Sequence, residues 1–389
     1  MIRKQLCVSI ALIVSLMLAS IEASGQAAST TVFTSGLRAP IKAIFSAKGN
    51  LLVSEAGSGP NTGRISIIDS SGNRRTLIDG LPSGLAPPNF DPSGPSGLAQ
   101  RGRTLYVAIG AGDETLPGPV PGTEIPNPNP SSAFFSAVLS LKLSPLVEDT
   151  TQGFTMTSAD QHGLQNNGFA RLDDGAGNQL TIEVLINFRS FTFEPIPPFA
   201  GNVRASNIFG LAISGKKLYV VDASQNQIWE VDTNTGDSRV VFSFGRIPNP
   251  TPVGPPFIDA VPDSVRVVGK SLLVPYLTGF PFPQGSAGVR KIRLVNGANE
   301  PFISGLSSAL DVLPVEGPND QFQFFTLEFS TNQLMGAPGR PQRFDATGTS
   351  STVLVSNLVT PTSLARDAVS GDLFVTEIAT GRVIRVHVP

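Results

Sequence analysis

Six stretches of the chain spell one strand, and that recurrence limits the fold more than any other feature. LLVSEAG from Leu51 returns as TLYVAIGAG from Thr104, KLYVVDAS from Lys217 and SLLVPYLTG from Ser271. It returns again as FFTLEFST from Phe324 and DLFVTEIAT from Asp372. Within Asn50–Asp69, Leu51 and Val53, then Ile65 and Ile67, alternate with smaller or polar residues around a Gly-rich turn. That is the pattern of a hairpin whose strands bury one face each. Taking Leu51, Leu105, Leu218, Leu272, Phe324 and Leu373 as equivalent gives intervals of 54, 113, 54, 52 and 49 residues. A period near 50 is that of a four-stranded propeller blade, and the doubled interval marks an insertion. The expectation is an all-β, six-bladed β-propeller.

A short strand precedes each copy: APIKAI at Ala39, GPSGLA at Gly94, NIFGLAI at Asn207, VPDSVRV at Val261, SALDVLP at Ser308 and TPTSLA at Thr360. Third strands are expected from Gly63, Ser136, Asn226, Gly288, Asn332 and Gly381, and fourth strands from Arg75, Leu180, Arg239, Glu300 and Ser351. The sixth unit lacks a fourth strand, whereas TTVFTSGL at Thr30–Leu37 has that pattern and no unit of its own. It is expected to supply the outer strand of the last blade and so leave no open edge in the ring. Pro145–Asn178 is polar and rich in Gly, Asn and Asp, and reads as an excursion between strands three and four of blade two. One propeller domain over residues 30–389 follows, with its insertion at 145–178.

Ahead of it, Arg3 and Lys4 precede the apolar run Leu6–Leu18 and a small-residue stretch. This reads as a secretory signal peptide over residues 1–27, with cleavage after Gly25 or Ala27, so a secreted or periplasmic location is expected. The only cysteine, Cys7, lies in that segment, and core burial rather than disulfides must hold the mature chain. Without residues 1–27 there are 26 basic and 29 acidic residues, too balanced for a nucleic-acid partner. No later stretch is long and apolar enough to span a membrane, and a monomer is expected.

In a four-stranded meander, the loops entering strand one and those joining strands two and three leave on the same face. Residues 79–95, 113–130, 188–207, 245–262 and 277–285 all belong to that face and hold 22 of the 33 prolines. Proline narrows the conformations open to each loop, which points to one face of stiffened, functional loops.

Glu55, Asp222, Glu328 and Glu377 stand at equivalent ends of second strands, where blades two and four carry Ile109 and Tyr276. Convergent near the axis, four carboxylates would suit Ca2+ and a metal-assisted lactonase or hydrolase. The competing expectation is that each accepts backbone N–H groups of its own hairpin turn, with no cofactor. His162 and His387 are the only histidines, too few for zinc or a Ser-His-Asp triad. LDDGAGNQ at Leu172 is a turn before a strand rather than a calcium loop, and Trp229 reads as packing between blades.

TGFPFPQGSAGVRKI at Thr278–Ile292 resembles the ScyD/ScyE family of exported proteins associated with scytonemin-type pigment clusters. EAGSGPNTGRIS at Glu55, GLPSG at Gly80 and SNIFGLAI from Ser206 agree with it. The resemblance implies an exported six-bladed propeller and carries no catalytic residues; the gluconolactonase-like propellers would imply an axial metal instead. The expected role is binding or scaffolding on the proline-rich face, with a small aromatic or phenolic compound, or a protein, as partner. Tyr276, Thr278, Phe280, Phe282, Gly110 and Gly112 are the candidate ligand residues. Phe280 and Phe282 sit on a loop stiffened by Pro281 and Pro283. Either both rings plug the channel, or one packs inward while the other forms a ligand wall facing Tyr276 or the Gly110–Gly112 loop.

Overall fold

The recurrent strand sits second from the axis in every blade, and its neighbours explain its composition. The computed structural model describes residues 28–317 and 321–388; the signal segment expected over residues 1–27 lies outside them. Blade 1 comprises Pro40–Phe45, Leu51–Glu55, Gly63–Ile68 and Arg74–Leu81. Blade 2 has Pro95–Arg101, Thr104–Ile109, Ala137–Leu143 and Gln179–Asn187. Blade 3 has Ile208–Ser214, Lys217–Asp222, Gln227–Asp232 and Ser238–Ser243. In blade 4 the inner strand is split into Ala260–Pro262 and Arg266–Val268, followed by Ser271–Thr278, Ala287–Arg293 and Asn299–Leu306. Blade 5 has Ala309–Glu316, Phe322–Glu328, Arg340–Phe344 and Ser351–Val353. Blade 6 has Pro361–Arg366, Leu373–Glu377 and Arg382–His387, with Ser29–Thr34 antiparallel on its outer edge. The six antiparallel sheets form a six-bladed β-propeller.

Blade packing corrects the expectation that each second strand buries one face. Leu51–Glu55 and Leu373–Glu377 are buried throughout, since each blade is sandwiched between two others. Leu51 and Val53 face blade 6, and Leu52 faces blade 2. The core accordingly divides into six clusters, one at each junction between adjacent blades. The cluster between blades 1 and 2 holds 23 buried residues against eight or nine in each of the others. Six of those residues come from the insertion, which is therefore more than a polar excursion. Val147, Phe154, Met156 and Leu164 are buried there. Phe154–Thr155 adds a parallel strand outside blade 1, and Phe169–Asp173 adds a fifth strand outside blade 2. Between them Ser158–Asn167 is helical, opened by a Thr157–Asp160 capping box.

A second correction concerns blade 5. Its third strand is Arg340–Phe344, not the NQLMGAP stretch at Asn332, which turns through a short 3-10 helix at Gln333–Met335. At the axis, inner strands meet through polar groups. The Lys42 ammonium donates to Asp311 at 2.6 Å, and Arg266 reaches both Asp311 oxygens at 3.1 and 3.2 Å. Ser264 and the backbone N–H of Leu364 also donate to this carboxylate, so blades 1, 4, 5 and 6 share one acceptor.

Candidate functional site

The proline-rich loops are not irregular. Four of them fold back as two-stranded ribbons: Gly84–Ala86 with Asp91–Ser93, Thr115–Pro117 with Glu124–Pro126, Phe191–Phe193 with Val203–Ala205, and Ile247–Pro248 with Phe257–Ile258. Proline suits such short ribbons because few ladder N–H groups are needed there. The ribbons brace one another. Asn202 Oδ1 accepts the backbone N–H of Glu124 at 2.8 Å, while its Nδ2 donates to the Glu194 carbonyl at 2.8 Å. Arg204 pairs with Glu194 at 3.1 Å and with Asp259; Arg246 pairs with the same two acids at 3.2 and 3.6 Å. This closed ring of two guanidinium groups and two carboxylates is internally neutral.

Two adjoining cavities open between the ribbons. The inner one, about 260 Å3, reaches Ile41, Ser96 and Phe209 on the inner strands of blades 1 to 3. The outer one, about 350 Å3, is lined by the ion-pair ring, Phe257 and Phe280. Glu124, Ala205 and Ser224 belong to both walls and mark the junction. Glu124 Oε2 accepts from Thr115 Oγ1 at 2.7 Å, and burial pushes its carboxyl up from the usual range, opposed by that hydrogen bond and by Arg204. Phe257 and Phe280 are 53% and 52% exposed. With Phe90 and Phe193 they make four of the five exposed phenylalanines among the described residues, all on this one face. Apolar area gathered on one side of a molecule marks a contact surface.

The sequence-derived ligand residues scatter around this site. Phe280 lines the outer cavity, with Phe282 edge-on to it at 6.1 Å. Gly110 lines the inner cavity, where a Cβ would stand 2.7 Å from Ser93 Oγ. Gly112 does not: a Cβ there would lie 2.0 Å from the Phe135 ring, so that glycine serves packing. Tyr276 lies in a separate cleft with Phe242, Phe244 and Arg290, its ring 5.9 Å from that of Phe244. Thr278 is buried in the blade 4 ladder opposite Ala260. Phe280 thus faces neither Tyr276 nor the Gly112 turn, correcting the expected wall. It shares its cavity with Phe257, a residue that no repeat pattern singles out.

The four aligned carboxylates have a shared geometry of their own. Glu55, Asp222, Glu328 and Glu377 accept the backbone N–H of Arg38, Asn207, Ser307 and Val359 at 2.6, 3.0, 2.6 and 2.7 Å. Each of these N–H groups belongs to the segment leading into the same blade's inner strand. Arg64 adds two bonds to Glu55, Arg340 and Gln342 add two to Glu328, and Thr380 adds one to Glu377. The donors thus come from each acid's own blade.

Blade 2 lacks that acid, and Glu114 occupies its neighbourhood instead. Burial pushes Glu114 up to about 7; Ser136 and Ser190 hydrogen bonds oppose the rise, and Asp222 and Asp113 add to it. The unfolded chain releases this proton near its ordinary value while the folded chain keeps it. Stability is therefore expected to fall as pH rises from about 4.5 to about 7, by at most about 3 kcal/mol. Glu114→Gln still accepts from Ser136, whose hydroxyl stands 2.6 Å away, and should flatten the fall and raise Tm at pH 8. An unchanged pH profile of Tm would refute this assignment.

No family model matches the chain, and no curated protein matches it. Among solved structures, it is similar to an auxiliary nutrient binding protein from Bacteroides thetaiotaomicron, with a TM-score of 0.52 and 9% identity over 93% of this chain and 76% of that one. A second, from Bacteroides ovatus and described in the same words, gives 0.49 and 10% over 92% and 76%. At such identity the first likeness shows a common fold.

Proposed function

We propose that this is an exported binding protein of ScyD/ScyE type that holds a small aromatic compound between the ribbons. The pair of adjoining cavities with Phe257 and Phe280 on the outer wall carries this reading. The apolar leader at Leu6–Leu18 supports export, and the described residues contain no helix long and apolar enough to cross a membrane. A related fold in a protein described as nutrient binding agrees with a binding role. Half-exposed rings contribute little to the core, so their removal should separate binding from stability.

The test uses 2-phenylethanol as a neutral aromatic probe, followed by saturation-transfer NMR and calorimetry. The double variant Phe257→Ala/Phe280→Ala is expected to weaken binding at least ten-fold and to cost less than about 1 kcal/mol of stability. Binding and the melting midpoint should be the same with and without chelator, because a metal held only by the folded chain would raise the midpoint. If 2-phenylethanol and indole both fail to bind the wild type, the reading is wrong.

A further inference from the structure

Charge along the two cavities is unevenly distributed. In the outer cavity, Arg204 and Arg246 are consumed by Glu194 and Asp259, which leaves Glu124 as the unpaired charge of that wall. The inner cavity is lined by Glu124 and Asp91 and by no cationic side chain. Glu124 Oε2 is held by Thr115, whereas Oε1 has no hydrogen-bond partner among the described residues. Its backbone is fixed by Asn202, itself tied to the neighbouring ribbon, so the carboxylate is held at the junction rather than left to swing. The one cation that acts on this half-buried carboxylate, Arg204, is already engaged by Glu194 and Asp259, and a cationic ligand would supply a counter-ion of its own. Phe257 and Phe280 line the next wall, and an aromatic ring attracts cations as well as apolar groups.

We infer that the site selects an organic ammonium ion, with the charged nitrogen against Glu124 at the junction and an aromatic or aliphatic body in the outer cavity under Phe280. This rests on the binding role proposed above and narrows its ligand to a class of charge. A bound cation would favour the ionised form of Glu124 and oppose the effect of burial, since an opposite charge favours the charged form.

Three probes of one shape and different charge decide it: phenethylammonium, 2-phenylethanol and 3-phenylpropanoate, titrated into the full mature chain at pH 7. Phenethylammonium is expected to bind at least ten-fold tighter than the alcohol, and the carboxylate weakest. Glu124→Gln keeps an acceptor for Thr115 and removes the charge, and should lower phenethylammonium affinity at least ten-fold at an unchanged melting temperature. Equal affinity for the three probes, or a Glu124→Gln variant that retains the preference, would overturn the inference and leave the aromatic-binding reading standing. Calcium displacing phenethylammonium from the wild type but not from Glu124→Gln would overturn it too, by assigning the carboxylate to a metal. Failure of all three probes and of indole to bind would remove the inference together with the reading on which it rests.

Discussion

Asp311→Ala is expected to destabilise the propeller by about 3–5 kcal/mol, the range for removing one partner of a buried ion pair. The side chain is fully buried on the inner strand of blade 5, and six donors from blades 1, 4 and 6 and from Asp311's own neighbour converge on it. Burial alone would raise this carboxyl; Arg266 and then Lys42 overcome it and hold the group down at about 2. Burial and the adjacent Arg266 in turn lower the Lys42 ammonium to about 8. With Asp311 gone, two cations are left in the axis with no counter-charge. Asp311→Asn keeps the acceptor for Leu364 N–H and loses only charge, so it should fall between wild type and Asp311→Ala. Lys42→Met in the Asp311→Ala background should recover part of the loss, because one unpaired cation is then removed. Equilibrium denaturation of the four proteins checks the order. A loss below about 1 kcal/mol in Asp311→Ala would show that water satisfies the axis and that the inner strands do not depend on this acceptor.

The repeat was legible because it is local: five to eight residues of alternating polarity suffice to recognise a second strand, and their spacing gives the blade count. Blade 5 shows where that stops working. RPQRF at Arg340 carries no apolar alternation, because Arg340 and Gln342 point inward as donors to Glu328 instead of filling the core. A different signal was present. Gly-Arg opens the third strand at Gly63, Gly339 and Gly381, and each of these arginines is paired in register with Glu55, Glu328 or Glu377. In blades 1 and 5 the acid and the arginine form an ion pair, and reading the acids alone hid half of it; in blade 6 Arg382 is exposed and Glu377 takes Thr380 instead. The insertion was opaque for a related reason. Its buried residues Val147, Phe154, Met156 and Leu164 follow no single period, since they come from two helices and a strand in quick succession.

The site was legible as a face and not as residues. Proline density located the loops, but the ribbons pair residues through turns of no fixed length, and the ion-pair ring joins Glu194, Arg204, Arg246 and Asp259 from two of them. Such pairings have no sequence period to betray them. Phe280 was visible because its segment is distinctive, whereas Phe257 and Glu124 are single residues in proline-rich surroundings.

Removing Thr30–Gly36 from the mature protein is expected to cost at least about 3 kcal/mol and to turn a monomer into a concentration-dependent oligomer. The N-terminal strand pairs with the last one from Ser29 opposite His387 to Thr34 opposite Val383. Most of its side chains are exposed, Val32 at 56%, so the loss is mainly of the ladder and of one anchor. That anchor is Phe33, whose ring meets Phe374 edge-on at 4.8 Å. Its carbonyl lies so close to the turn of blade 1 that a Cβ on Gly72 would come within 2.3 Å, and Leu37 N–H donates to the Gly381 carbonyl at 3.0 Å. The strand therefore ties the last blade to the first as well as covering an edge. Without it, Arg382–His387 would present an unpaired ladder, blunted only by Arg382 and Arg385. Light scattering after size-exclusion chromatography and thermal melts at two concentrations read both consequences. A synthetic peptide spanning residues 28–37 should restore the monomer and most of the lost Tm, because it replaces the same ladder in trans. A truncated chain that stays monomeric and melts with the wild type would show that the ring holds itself closed through blade packing alone.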